Sequence, residues 1–215
     1  MVARIATVAF QGIEVLGIDV QVQMAGGFAG FHLVGLPDKA VGESRERVRA
    51  ALAALGLSVP ARRITVNLAP ADVLKEGSHF DLPIAVGLLV AMGVLPGDAL
   101  ARYVTLGELA LDGAITGVAG VLPAAFAAAQ RAQGIICPAA CGGEAVWAGD
   151  IEVLAPASLI ALINHFKGTQ VLSQPTAELA PEPAAALDLA DIKGQESALW
   201  KRIHTKNPPD SQTFL

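Results

Sequence analysis

The sequence predicts an α+β fold, a mixed β-sheet with helices packed on it, and three observations lead there. Strand-like segments crowd the first third of the chain, and strands alternate with helices after it, an order that suits one mixed sheet with helices against it. Within the strand-like part, "GIDVQVQM" places Val20, Val22 and Met24 on one face and Asp19, Gln21 and Gln23 on the other, the two-residue period of a half-buried strand. The composition is 53% hydrophobic, 16% charged and only 5% aromatic. Alanine, valine, leucine and glycine dominate it, which suits thin, close layers of helix on sheet.

The elements follow in order. "ARIATVAF", "IEVLGIDVQVQMA" and "FHLVGL" are rich in β-branched residues and have glycines at their joints, so each reads as a strand. A helix begins near "LPDK", where Asp38 is placed to cap it, and stops at Gly56 in "ALGLSVP". "RRITVNLAP" is a strand, and "HFDLPIAVGLLVAMG" a helix buried on most sides. Ser78 stands where the N-cap of that helix belongs, with Asp81 as a short-range capping-box partner and Pro83 in the first turn. "YVTLGELALDGAITGV" reads as a strand, a tight "LDGA" turn and a returning strand. The helix "LPAAFAAAQRAQG" ends at Gly134, and the short strands "GIIC" and "IEVLAP" each lead into a helix, "AACGGEAVWAG" weakly and "ASLIALINHF" clearly.

Charge and cysteine usage exclude several classes. A net charge of −5 leaves no global footprint for nucleic acid, so any such binding must come from a local patch. Cys137 and Cys141 have no histidine or third cysteine beside them, which predicts two free thiols in a reducing cytosol and no metal site. The apolar run from Leu82 to Leu95 is about fourteen residues, short of the roughly twenty that span a bilayer. The amino terminus alternates and carries Arg4, unlike a secretory signal, so the chain is expected to be cytoplasmic and to have no membrane partner.

Three clusters invite chemistry. On the helix "DKAVGESRERVRAALAALG", Val41, Val48, Leu52 and Leu55 form a stripe with Arg45 inside it. A buried arginine needs an anionic or carbonyl partner, so Arg45 is a candidate structural ion pair. Arg45, Arg47, Arg49, Arg62 and Arg63, with Lys75, are alternatively a local patch for DNA phosphates, and the bland reading is a solvated face balanced by Glu43 and Glu46. Glu108 and Asp112, four apart, share a strand face where paired carboxylates act as acid and base or hold a metal, although Asp-Gly also simply makes turns. "LKEGSHFDLP" holds Lys75, Glu76, Ser78, His79 and Asp81 within seven residues. A serine–histidine–aspartate triad is not expected there, because triad members come from separate elements. Ser78 and Asp81 read instead as helix-capping, structural residues.

Four long runs, "GLPDKAVGESRERVRAAL", "RITVNLAPAD", "KEGSHFDLPIAVGLL" and "LGELALDGAITGVAGVLPA", resemble the N-terminal domain of the ComM/YifB family of magnesium-chelatase-like proteins, from about Val2 to Gln195. The resemblance implies similarity to the catalytic domain of Lon-type proteases and to a ribosomal-protein domain. It also implies that an AAA+ ATPase module with a Walker A loop follows, so ATP and magnesium belong to full-length relatives and not to this chain. The ComM branch is implied to work as a hexameric, ATP-driven branch-migration helicase on DNA during natural transformation.

Two departures qualify this. Against the serine–lysine dyad of Lon-type peptidases, "KEGSHFD" puts His79 at the nucleophile position with Ser78 one place early, and "AGVLPAA" puts Leu122 where the lysine belongs. Leucine cannot act as a base, so no catalytic residue is expected. The G-x-x-x-x-G-K-[ST] loop is also missing after "LDLADIKGQ". The expected organisation is a Lon-protease-like domain over residues 1–166, an acidic Pro/Ala-rich linker over 167–190, and the start of a truncated AAA+ module with an unrelated tail over 191–215. Expected partners are DNA, a second copy, or the AAA+ ring of full-length relatives. The alternatives are a degenerate peptidase using Ser78 with Lys75 or His79 as base, and a purely structural interaction domain.

Overall fold

A computed structural model describes residues 2–177. The long first hairpin carries the fold. β1 (Val2–Gln11) and β2 (Glu14–Ala25) pair antiparallel along their whole length, from Val2 opposite Gln23 to Gln11 opposite Glu14. β2 then pairs antiparallel with β4 (Arg63–Ala69), and β3 (Gly30–Val34) lies parallel to β4 at the edge. On the other side of β1 stand β5 (Tyr103–Thr105), β8 (Gly134–Ile136) and β9 (Val153–Leu154), all parallel. The sheet order is β3-β4-β2-β1-β5-β8-β9, and β2 alone runs against the rest. This is the mixed sheet expected.

Helices cover the two faces unequally. α1 (Lys39–Ala54), α2 (Asp81–Ala91) and α6 (Leu159–Phe166) share one core with the first face, where Ile5, Val20, Val22 and Val66 meet Val48, Leu52, Ile84 and Leu162. Among the described residues α4 (Val121–Gln130) and α5 (Gly142–Ala145) cover the β5-β8-β9 half of the second face and the adjoining end of the β1–β2 hairpin, over Val8, Val104, Ile135 and Val153. The short α3 (Gly97–Leu100) joins α2 to β5. The uncovered part of the second face is polar. There Arg4 donates to Asp19 at 2.7 Å, Gln21 donates to the same carboxylate at 2.7 Å, and Asn67 donates to Gln21 at 3.1 Å. That is the physical meaning of the alternation in "GIDVQVQM".

Asp38 caps α1 as expected, its Oδ1 accepting from the Val41 N–H at 2.7 Å. Three local expectations change. "YVTLGEL" is not one strand: β5 ends at Thr105, and β6 (Glu108–Leu109) turns away to pair with β7 (Ile115–Thr116) in a separate hairpin. Gly107 makes the break, because a Cβ there would sit 3.0 Å from Leu82 Cδ2 and 3.1 Å from Ile115 Cγ2. Its main chain bonds instead to the start of α2, with Gly107 N–H to His79 C=O at 3.0 Å and Leu82 N–H to Gly107 C=O at 2.9 Å. α4 ends at Gln130, four residues before Gly134, since Ala132 already turns left-handed (φ 53°) and Gly134 opens β8. The weak helix "AACGGEAVWAG" is α5 flanked by two 3₁₀ turns.

Beyond α6 the chain stays on the domain at first. The Thr169 and Gln170 N–H groups donate to Asn164 C=O at 3.0 and 3.3 Å, and Gln174 bridges Ile151 C=O and Val153 N–H at 2.9 Å each. Residues 167–177 of the expected linker show no strand and, after the end of α6, no helix. The rest of that linker and the expected AAA+ lead-in with its tail lie outside the described residues. Among the described residues no helix is long and apolar enough to cross a membrane.

Candidate functional site

The residues of "KEGSHFD" meet the end of β1 and the β6–β7 hairpin at one end of the sheet. Between them lies a cavity of about 470 Å³, lined by Phe10, Glu76, Gly77, Ser78, His79, Glu108 and Gly117 to Ala119. Backbone bonds hold the segment in place. Lys75 N–H donates to Leu36 C=O at 3.2 Å, Asp38 N–H to Lys75 C=O at 2.9 Å, and Gly77 N–H to Asp38 Oδ2 at 3.3 Å. The cap of α1 thus also anchors the loop that enters α2.

The expected cap of α2 is corrected. Ser78 opens a 3₁₀ turn, Ser78–Phe80, whose N-cap is Gly77 at φ 93°, and neither Ser78 nor Asp81 makes a side-chain cap bond. Gly107 C=O serves the Leu82 N–H instead, which frees both side chains. The Ser78 hydroxyl donates to the Glu108 carboxylate. Asp81, fully buried, receives Arg47 Nε at 2.6 Å, Arg47 Nη2 at 3.0 Å and the Leu109 N–H at 3.2 Å. Asp81 is structural, but as the tie between α1, α2 and the β6 hairpin.

The structural arginine is therefore Arg47, and the expectation for Arg45 is corrected. Arg45 is exposed and bonds its neighbour Glu46 at 2.8 Å. The buried stripe of α1 is Val41, Ser44, Val48, Ala51 and Leu52. The small residues Ser44 and Ala51, left out of a hydrophobic count, move it toward Arg47. The bond to Asp81 and the nearby carboxylates of Glu108 and Glu43 hold the Arg47 guanidinium firmly charged despite burial.

Lys75 is fully buried and donates to the Pro70 carbonyl, and burial pushes its pKa down against a smaller opposing pull from Asp72. His79 is 6% exposed and bonds the Val8 carbonyl through Nε2 at 2.9 Å. A carbonyl only accepts, so Nε2 carries the proton and Nδ1 is left an acceptor. Burial lowers the His79 pKa, with the Val8 bond and Asp81 and Asp38 opposing, and the ring packs on Phe80 and Phe10 at centroid distances of 4.3 and 5.4 Å.

The two positions compared with a peptidase dyad are not paired by any bond. His79 lines the cavity wall, while Leu122 stands half-buried in the first turn of α4, its N–H donating to Glu144 at 3.1 Å. Glu108 reaches the cavity, whereas Asp112 accepts from the Ala114 N–H at 2.9 Å within the Asp-Gly turn, so the turn reading of Asp112 holds over the alternative of a carboxylate pair. Among the described residues no group of three or more His, Cys, Asp or Glu side chains is placed to hold a metal ion.

The six cations expected to touch DNA separate. Arg47 and Lys75 are committed inside the protein, which removes them from such a patch. Arg45, Arg49, Arg62 and Arg63 are exposed. Arg63 opens β4, with Arg62 just before it, at the end of the sheet away from the cavity, and Arg63 stands beside Ala25 and Gly30. The sequence reading missed their neighbour Phe28, a 98% exposed aromatic after Gly26 and Gly27 in the β2–β3 loop.

Comparison with known proteins agrees with this architecture of long runs. The model of the family described as subunit ChlI of Mg-chelatase matches residues 20–141. Competence protein ComM of Haemophilus influenzae is 39% identical over 196 residues, covering 88% of this chain and 38% of the relative. YifB of Salmonella typhimurium is 38% identical over 194 residues, covering 90% of this chain and 38% of the relative. Rv2897c of Mycobacterium tuberculosis is 39% identical over 198 residues, covering 91% and 39%. The chain spans about two-fifths of the length of these curated relatives.

Proposed function

The chain belongs to the ComM/YifB family of magnesium-chelatase-like proteins, and from that premise we propose that it is a non-catalytic accessory domain that engages DNA or assembles subunits beside an ATPase ring. The process would be DNA branch migration in the cytoplasm during natural transformation, a reading supported by the name of the Haemophilus influenzae relative, a competence protein. Its fold would be that of a Lon-type protease domain without the chemistry.

One observation carries the non-catalytic reading. Ser78 has a carboxylate for its partner, Glu108, and neither candidate base is bonded to it: Lys75 donates to the Pro70 carbonyl and the His79 Nε2–H to the Val8 carbonyl. Nucleophilic serine needs an adjacent general base oriented by a third group, and neither Lys75 nor the free Nδ1 of His79 is hydrogen-bonded to the Ser78 hydroxyl. A serine-reactive fluorophosphonate probe on the folded chain tests it. No labelling of Ser78 is expected, and labelling abolished by Ser78→Ala would restore the degenerate-peptidase reading.

For DNA, the exposed Arg45, Arg49, Arg62 and Arg63 support phosphate contact, with Phe28 beside the last two as a stacking surface. Filter binding of the whole chain with branched DNA should show salt-dependent affinity. Each of Arg62→Ala and Arg63→Ala should reduce the log–log salt slope by about one. No binding at micromolar protein removes DNA from the proposal and leaves assembly, which light scattering on dilution reads directly.

A further inference from the structure

The cavity does not end at Glu76. A second hollow of about 350 Å³ shares Phe10 and Glu76 as its wall and continues past Gly12 to Leu36, Asp72 and Leu74. Together they form a cleft across the ends of β1, β3 and β4. Its side-chain chemistry is one-sided. Asp72, Glu76 and Glu108 supply carboxylates, and His79, buried to more than nine-tenths, presents Nδ1 as an acceptor because Nε2–H is used on Val8. Of the two side-chain donors on the wall among the described residues, the Ser78 hydroxyl is turned to Glu108 and the Gln11 amide carries an acceptor oxygen beside its donor nitrogen. Among the described residues no lysine or arginine lines either hollow, and Lys75 and Arg47 are tied elsewhere, to Pro70 and to Asp81.

The rim is apolar. Leu36 and Leu74 are 53% and 49% exposed, and Ile13, on the β1–β2 turn next to Gly12, is 98% exposed. We infer that this cleft docks a protein segment that places an arginine or lysine side chain between apolar neighbours. The acceptors require a ligand made of donors and carrying positive charge. The metal alternative is disfavoured, since among the described residues no three ligating side chains converge. A free polyamine would satisfy the carboxylates but leave the leucine and isoleucine rim in water, whereas a segment covers both. Nucleic acid is repelled by the same carboxylates. The inference is independent of DNA contact, since Arg45, Arg49, Arg62 and Arg63 line neither hollow, so either reading can fail alone.

The test uses the whole chain and acetylated, amidated hexapeptide pools, each with one position fixed and the others degenerate, read by fluorescence anisotropy. Pools fixed as Arg or Lys should bind at least tenfold tighter than pools fixed as Ala or Glu. Glu76→Gln with Glu108→Gln should bring that ratio below threefold. Leu36→Ser should weaken binding of all pools and keep the ratio. No preference for basic residues, or a preference unchanged in the double variant, overturns the inference. Displacement by spermidine at equal cation concentration overturns the segment in favour of a small polyamine. Both glutamates are at least partly solvent-exposed, and melting curves of each variant overlaid on the parent show that lost binding is not lost fold.

Discussion

Arg47 and Asp81 stand 34 positions apart in the chain and meet as a two-point ion pair, Nε to Oδ2 at 2.6 Å and Nη2 to Oδ1 at 3.0 Å. The Asp81 side chain is fully buried and that of Arg47 is 20% exposed, so the pair links α1 to α2 largely out of water. Removing one partner leaves the other charge buried, which costs about 3 kcal/mol. Arg47→Ala should lower stability by that order in urea unfolding, and Arg47→Lys by part of it, since an ammonium cannot reproduce the fork. Arg45→Ala should stay within about 0.5 kcal/mol, as surface substitutions do. Equal losses at the two positions would mean that the pair contributes nothing beyond its helix.

How far the sequence could be read turns on this same helix. Strands, helices and the Asp38 cap were legible because each is written locally, in a two-residue or 3.6-residue period or a single cap. The partner of an arginine is not local. Choosing Arg45 over Arg47 depended on which face α2 would take, and that is decided by Asp81, a residue that also looks like a cap. Ser78 failed for the same reason: its partner Glu108 comes from a hairpin separated from β5 only by the close packing of Gly107 on Leu82. Local rules placed the segment at the start of a helix. They could not say which atoms would face the cavity.

Gly35 follows β3 with φ 104°, and a Cβ there would fall 2.2 Å from the Leu68 carbonyl oxygen. The backbone cannot step aside, because β3 is registered on β4 from Gly30 opposite Arg63 to Val34 opposite Asn67. Gly35→Ala therefore combines left-handed strain with a backbone clash and should cost at least about 2 kcal/mol. Gly12→Ala, also at positive φ but with open space around it, should cost about 1 kcal/mol. Thermal melts of the two variants check the order, and a Gly12 loss equal to that of Gly35 would show that the clash is relieved by movement of β3.

Cys137 follows β8 under α4 and α5, fully buried, and burial pushes its thiol up to about 12. The thiolate is the reactive form, so at pH 8 only about one molecule in ten thousand carries it. In a Cys141→Ser background, which leaves one thiol to count, Ellman's reagent should find almost none in the folded chain and one per chain after guanidinium. Prompt native reactivity would mean that the core under α4 opens on the timescale of the assay.

His79 gives the cavity a pH signature whose sign follows from burial. Its folded pKa lies below the ordinary value of about 6.5 because the charged ring is poorly solvated, with Asp81 and Asp38 offsetting only part of the penalty. Above about pH 6.5 neither state binds a proton at this residue, and stability is unaffected by it. As pH falls below that value the unfolded chain takes up a proton that the folded chain refuses, so folding stability is lost until the lowered folded pKa is reached. His79→Gln keeps an N–H for the Val8 carbonyl and removes the titration. The difference in urea midpoint between parent and variant should be flat from pH 8 to 7 and should fall from 6.5 to 5, with the parent losing more. Parallel curves across the range would place a solvated ring in the cavity, and a parent that gains stability on acidification would mean that the carboxylates of the cleft hold the ring charged.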